Sequence, residues 1–283
     1  MDWFIFAILS VLGVSLANIF RRVVMKGDKT DAIAAAIVFQ FLGSVIVGIF
    51  ALTQGIVIPP VSEYYLNYIF VGLFWALATY FQFKAYQYLE ASEAIILATL
   101  EAVVIIVVSI IFLGDVFTLK MLIGTIFVLL GVIFIYLEGK KMVFNRGVVF
   151  SLLFCLFAGL GVVNDTFMVK RVAEPMSYLS IGFLLPVFFL ILFRPQSIAK
   201  IPEVLKFNNF KKLFLLTFFY TFGAITFVYA LVRGAQASQL SPISNSSVIV
   251  TVLLATIFLK EKDHLLRKVI CASLVTIGVL LLR

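Results

Sequence analysis

The sequence predicts an all-α membrane protein of ten transmembrane helices, arranged as two inverted five-helix repeats around a central cavity. Three observations lead there. Hydrophobic residues make up 63% of the 283 positions, charged residues 13%, and mean hydropathy is +1.17, which is more apolar surface than a soluble core can hide. The apolar residues fall into about ten runs, each long enough to cross a hydrocarbon layer of about 30 Å. Finally, two stretches are copies of one another. Ala91-Ser92 leading to Phe112-Leu113-Gly114-Asp115 returns about 146 positions later as Ala237-Ser238 leading to Phe258-Leu259-Lys260-Glu261, a shift of half the chain.

In chain order the expected spans cover residues 3–20, 32–52, 66–88, 94–113, 119–137, 147–163, 177–193, 213–232, 239–259 and 265–282. Their apolar character is continuous, whereas a barrel strand would alternate lipid-facing and lumen-facing residues, so each is expected as a helix. Met1-Asp2-Trp3 carries no basic leader and the first run is followed by many others, so it should remain as a helix rather than be cleaved. The two repeats occupy residues 1–138 and 147–283.

Short connections carry the charge. Arg21, Arg22, Lys26 and Lys29 follow the first span, and Lys84 lies near the end of the third. Lys140, Lys141 and Arg146 follow the fifth, Arg194, Lys200, Lys206, Lys211 and Lys212 the seventh, and Lys260, Lys262, Arg267 and Lys268 the ninth. In an alternating topology all of these share one side, leaving Lys120, Lys170, Arg171, Arg233 and Arg283 opposite. The bias of Lys and Arg towards the cytoplasm then places both termini outside. It also accounts for the net charge of +8 through an anionic membrane surface, so no nucleic-acid partner is needed. Cys155 and Cys271 sit inside apolar runs and read as small core residues, not as a disulfide.

The duplication extends beyond the opening pair. Gly13 and Asn18 match Gly159 and Asn164, and Phe81 matches Phe227; after one inserted position Leu119, Gly131 and Val132 match Leu266, Gly278 and Val279. Each copy holds an odd number of spans, so the second must cross the bilayer in the opposite sense.

These residues make the whole chain resemble the EamA-like, ten-helix members of the drug/metabolite transporter superfamily. The resemblance rests on the Ala-Ser elements, the two acidic turns and the Gly131-Val132 and Gly278-Val279 pairs. It implies a basket of helices one to four and six to nine around a cavity, helices five and ten at the periphery, and alternating access by rocking of the two halves. The sequence departs from the family at Leu12-Gly13, where many members carry Trp-Gly, in the Asp115 turn of the first copy, and in the orientation of its termini.

Transport needs polar groups facing a wet cavity, because an intramembrane polar group facing lipid has no partner. Glu101 is the first candidate, about 4 Å from the middle of the fourth span at 1.5 Å per residue, with small Ala94 and Ala98 on its face. A carboxyl there can exchange a proton or hold a substrate ammonium; the structural alternative is a glutamate that fastens helices together. In the ninth span, Ser241, Pro242, Ser244, Asn245 and Ser247 form a polar run around a proline, which frees a backbone carbonyl one turn earlier. Ser247 there stands at the repeat position of Glu101. Those serines serve a substrate or satisfy their own backbone, and the Asn245 amide, donor and acceptor together, is the stronger candidate. Asn18, Asn164 and Gln40 are further intramembrane amides, and Tyr80 and Tyr229, with Gln82, Tyr220 and Thr226, supply polar and aromatic positions in the third and eighth spans. These serve substrate or hold helices together. Trp3, Trp75 and Tyr68 need only packing or interfacial roles.

An enzyme is not expected. The single histidine, His264, lies in a charged turn, so no intramembrane histidine metal cluster or triad is available, and no phosphate-binding glycine loop appears. The expected function is secondary transport of a small polar or amphipathic metabolite, an amino acid or cationic compound, with protons exchanged at Glu101 and with no cofactor or metal. Its partners are then the small-molecule substrate, the lipid bilayer and protons. A flippase for a lipid-linked precursor and a non-transporting membrane scaffold are the alternatives.

Overall fold

The computed structural model describes residues 2–26, 30–113, 118–138, 141–142, 145–169, 171, 174–233, 247–261 and 264–281. Its helices are α1 (Asp2–Met25), α2 (Ala32–Gln54), α3 (Val61–Tyr88), α4 (Ala91–Ala98), α5 (Glu101–Leu113), α6 (Leu119–Tyr136), α7 (Arg146–Val169), α8 (Pro175–Phe193), α9 (Ile201–Val204), α10 (Phe207–Val232), α11 (Ser247–Phe258) and α12 (Leu265–Leu281). A 3₁₀ turn, Pro195–Lys200, joins α8 to α9, and a two-residue antiparallel pair, β1 (Leu137–Glu138) and β2 (Lys141–Met142), follows α6. Among the described residues seven spans are long and apolar enough to cross a membrane: α1, α2, α3, α4 with α5, α7, α8 and α10; Leu122–Phe134 and Ser247–Phe258 are shorter apolar stretches. Large apolar side chains such as Phe4, Ile49, Ile111, Phe188 and Ile257 stay exposed on the outside, as lipid contact requires.

Long apolar runs form the helices because a backbone in hydrocarbon must satisfy its own hydrogen bonds. Local signals then set the ends. Asp31 caps α2, its Oδ1 accepting from the N–H groups of Ile33 at 3.0 Å and Ala34 at 2.9 Å. Two helices start earlier than the apolar runs suggest, α3 at Val61 and α10 at Phe207, since polar residues outside the hydrocarbon still extend a helix.

Four pairings build the bundle: α1 along α10, α3 along α7, α2 along α8, and α6 along α12. Two depend on glycine. A Cβ on Gly13 would lie 2.8 Å from the Phe219 carbonyl oxygen of α10, and one on Gly278 would lie 2.8 Å from the Gly124 oxygen of α6. Gly13 and Gly278 are thus points where backbones touch, the small-residue contact by which membrane helices approach.

One end of the bundle gathers the ends of α1 and α3 with the starts of α4, α7 and α12. Arg22 donates to the carbonyls of Tyr86 and Gln87, Gly147 packs on Leu89, and Lys268 pairs with Glu90. At this end Glu261, the acid of the second duplicated turn, accepts hydrogen bonds from the Ala91 N–H at 3.0 Å, the Ser92 N–H at 3.2 Å and the Ser92 hydroxyl at 2.8 Å. The Ala-Ser element and the acidic turn are therefore two parts of one contact, each drawn from a different half of the chain.

Two expectations are corrected. Arg21 and Lys268, counted among loop charges, are buried, because α1 and α12 carry them into the packed interior. The fourth span is not one helix: α4 ends at Ala98 and α5 begins at Glu101. Across that break Thr99, Leu100, Ala102 and Val103 each donate to the carbonyl three residues back, the tighter 3₁₀ pattern. The Cys155 thiol donates at 3.4 and 3.7 Å to the carbonyls of Leu97, which also accepts from the Leu100 N–H, and Ala98, so Cys155 has a partner role beyond filling space.

Candidate functional site

Helices α2, α3, α7, α8 and α10 enclose a cavity of about 90 Å³, enough for several waters. Its wall is aromatic over much of its area, with Phe39, Trp75, Phe154, Tyr178, Phe183 and Tyr220, and polar at Gln40, Thr79, Gln82 and Asp165. Gly182 leaves the room: a Cβ there would meet nothing nearer than Val71 at 3.7 Å.

Asp165, four residues from the end of α7, is the acid on this wall. Its Oδ2 accepts from the Trp75 indole N–H at 2.8 Å and its Oδ1 from the Tyr178 hydroxyl at 2.7 Å. Both donors are neutral, and no ion pair to Asp165 occurs among the described residues. Across the cavity Gln40 donates to the Thr79 hydroxyl at 2.6 Å while its own Oε1 is buried without a partner. The polar part of the wall is thus rich in acceptors, and the aromatic faces beside them suit a cation.

A second cavity, of about 360 Å³, lies between α1, α10 and α11 and shares Leu179, Tyr220 and Ala224 with the first. Ser10 and Ser247 contribute its polar atoms; the Ser10 hydroxyl donates to the Gly223 carbonyl at 2.8 Å, and the Ser247 carbonyl accepts from Ser15 at 3.3 Å.

Behind Phe39 and Tyr220 lies a buried cation. The Arg21 guanidinium carbon sits 5.4 Å from the Tyr220 ring centroid, 5.6 Å from Tyr86, and 5.8 Å from both Phe39 and Phe83. Its Nη1 donates to Asn18 Oδ1 at 2.7 Å, one turn back on α1.

The residues picked from sequence scatter across this architecture. Gln40 is on the first cavity, Ser247 on the second, and Asn18 on the buried arginine. Asn164 faces α3 and exchanges hydrogen bonds with Asn67, donating to its carbonyl at 3.1 Å and accepting from its amide at 2.8 Å; this is helix-to-helix fastening. Tyr80 lines a surface recess with Asp31, Lys84 and Arg194. Tyr229 stacks on Phe6, with ring centroids 5.7 Å apart, and lines neither central cavity. Both tyrosines leave the cavity wall because the turn of their helices aims them elsewhere. Glu101 opens α5 at the break, lines neither cavity, and has no hydrogen-bond partner among the described residues. Ser241, Ser244 and Asn245 lie outside the described residues.

Sequence reasoning missed Asp165 and gave Trp75 only a packing role. The signal was weaker there: Asp165 lies two residues past the sixth apolar run, and only the continuation of its helix to Val169 carries it inside. Among the described residues no group of three metal-ligating side chains occurs.

These observations define a multi-pass helical membrane protein with a polar cavity enclosed between its helices. The chain belongs to the EamA-like transporter family, whose model matches residues 1–137 and again 145–283. It is accordingly a membrane transporter of the drug/metabolite transporter superfamily. No curated protein matches it. One protein of solved crystal structure superposes with a TM-score of 0.57 at 15% identity, over 99% of this chain and 96% of that one, a likeness of fold.

Proposed function

We propose that the chain is a secondary active transporter that moves a small amphipathic metabolite bearing an ammonium group, in the class of amino acids and cationic amines, by alternating access. The supporting observation is Asp165, an acid held by two neutral donors on a cavity of aromatic rings. An intramembrane carboxylate that meets no protein cation among the described residues is stabilised by a cation that arrives with the substrate, and the rings add cation–π attraction. Gln40 Oε1 offers a further acceptor for the same group.

The proposed frame is ten membrane helices in two inverted repeats, 1–138 and 147–283. The meeting of the end of α1 with the start of α7 supports it, since equivalent helices then run oppositely. Glu101, without a side-chain hydrogen-bond partner among the described residues and beside the break in its span, is the proposed proton carrier. Ser247 and the polar run Ser241, Ser244 and Asn245 are assigned to the second half of the substrate path. The excess of Lys and Arg in the loops on one side supports an orientation with both termini outside.

Flux of radiolabelled amines and amino acids into liposomes carrying the purified protein tests this reading. Expected is saturable uptake that Asp165→Asn reduces at least about tenfold. Movement of a labelled lipid-linked precursor instead would identify a flippase, and no flux of either kind a scaffold.

A further inference from the structure

We infer that Arg21 and Asn18 form a carboxylate-binding site behind the aromatic floor of the cavity, so that the transported substrate carries an anionic as well as a cationic end. Arg21 is 1% exposed and Asn18 2% exposed. No ion pair to Arg21 occurs among the described residues. A buried charge is retained when a counter-charge meets it, because its desolvation is otherwise uncompensated.

Arg21 Nη1 donates to Asn18 Oδ1 at 2.7 Å, and the neutral Tyr86 hydroxyl is the guanidinium's other side-chain partner. Arg21 Nε and Asn18 Nδ2 are both left buried without an acceptor. These two donors, one turn apart on α1, match the two oxygens of a carboxylate, and an arginine prefers planar two-oxygen partners. The rings that hold the guanidinium have no acceptor strong enough to neutralise it; Phe39 and Phe83 have none at all.

Phe39 and Tyr220 belong to both environments: they line the cavity that holds Asp165 and they lie against Arg21. Their rings contact each other at 5.3 Å between centroids, in an edge-on arrangement. A turn of either ring joins the two compartments. The cavity then presents an acid at one pole and a guanidinium at the other, which selects a zwitterion over a simple amine. This rests on the transporter reading above, but the anion site stands or falls separately from Asp165.

Benzoate and benzylamine, equal in ring and opposite in charge, separate the two sites when titrated into the purified full chain in lipid nanodiscs. Expected is benzoate binding that weakens at least about tenfold in Arg21→Gln, while benzylamine affinity changes less than about twofold. Asn18→Asp is the companion variant, since it supplies the guanidinium with an internal counter-ion and keeps the fold. It should abolish benzoate binding and leave benzylamine unaffected. Benzoate affinity unchanged in Asn18→Asp, or absent from the wild-type chain while benzylamine binds, overturns the anion site. Loss of benzylamine binding in Asp165→Asn supports the cationic pole independently, and its retention there refutes the Asp165 cation site without touching Arg21.

Discussion

Glu261 closes the start of a helix that begins 170 residues before it, with Oε2 accepting both the N–H and the hydroxyl of Ser92. A carboxylate at a helix N-terminus satisfies orphan donors and meets the positive end of the helix dipole. Here it also ties the second half of the chain to the first. Glu261→Ala should lower stability by about 2 kcal/mol, and Ser92→Ala by about 1 kcal/mol. Thermal unfolding in detergent checks both, and the double variant should cost less than the two single losses combined, because each removes the same contact.

Asp165 supplies order as well as charge, since it holds Trp75 and Tyr178 in place. Asp165→Asn retains an acceptor for one of the two donors, so the fold should persist while affinity for a cationic amine falls at least about tenfold. Trp75→Phe removes one donor and keeps the ring wall. It should weaken binding less than Asp165→Asn does, as isothermal titration with the same amine would register.

Glycine substitutions should divide by geometry. Gly13→Ala places a methyl 2.8 Å from a backbone oxygen, and overpacking of that kind costs about 1–3 kcal/mol. Gly182→Ala meets nothing within 3.7 Å and improves helix propensity, so stability should hold or rise slightly. Its methyl enters the cavity, so bulky ligands should bind less well than small ones. Comparing melting temperature with ligand affinity for the two variants reads this out.

Glu101 carries the proposed proton step. Glu101→Gln should leave substrate exchange at equal pH within about threefold of wild type and remove the acceleration given by an imposed pH gradient. Flux that still follows the gradient in this variant would move the proton role elsewhere, with Asp165 the next acid to test.

Much of the fold was legible because its causes are local. Hydropathy marks the runs, and duplicated small residues mark where backbones cross, as Gly13 and Gly278 do. What the duplicated turn does was not legible, since Glu261 meets Ser92 only once the halves pack. Arg21 was misplaced because an arginine after an apolar run ordinarily lies in a loop; only the four rings supplied by three other helices make a buried position tolerable. Asp165 stands beside Asn164 near the end of its span, and the two side chains diverge, one to a cavity and one to Asn67. One residue of helical rotation decides that, and it is a tertiary quantity.

The interruption at Thr99 and Leu100 gives the fourth span a knee. Its shorter limb is tethered by Glu261 to the far half of the chain, and its longer limb leans on α7, where Gly159 abuts Val104. Torque arriving through one limb need not reach the other, so a rocking stroke can be taken up across a few peptide units while both limbs stay straight. Glu101 sits on that pivot.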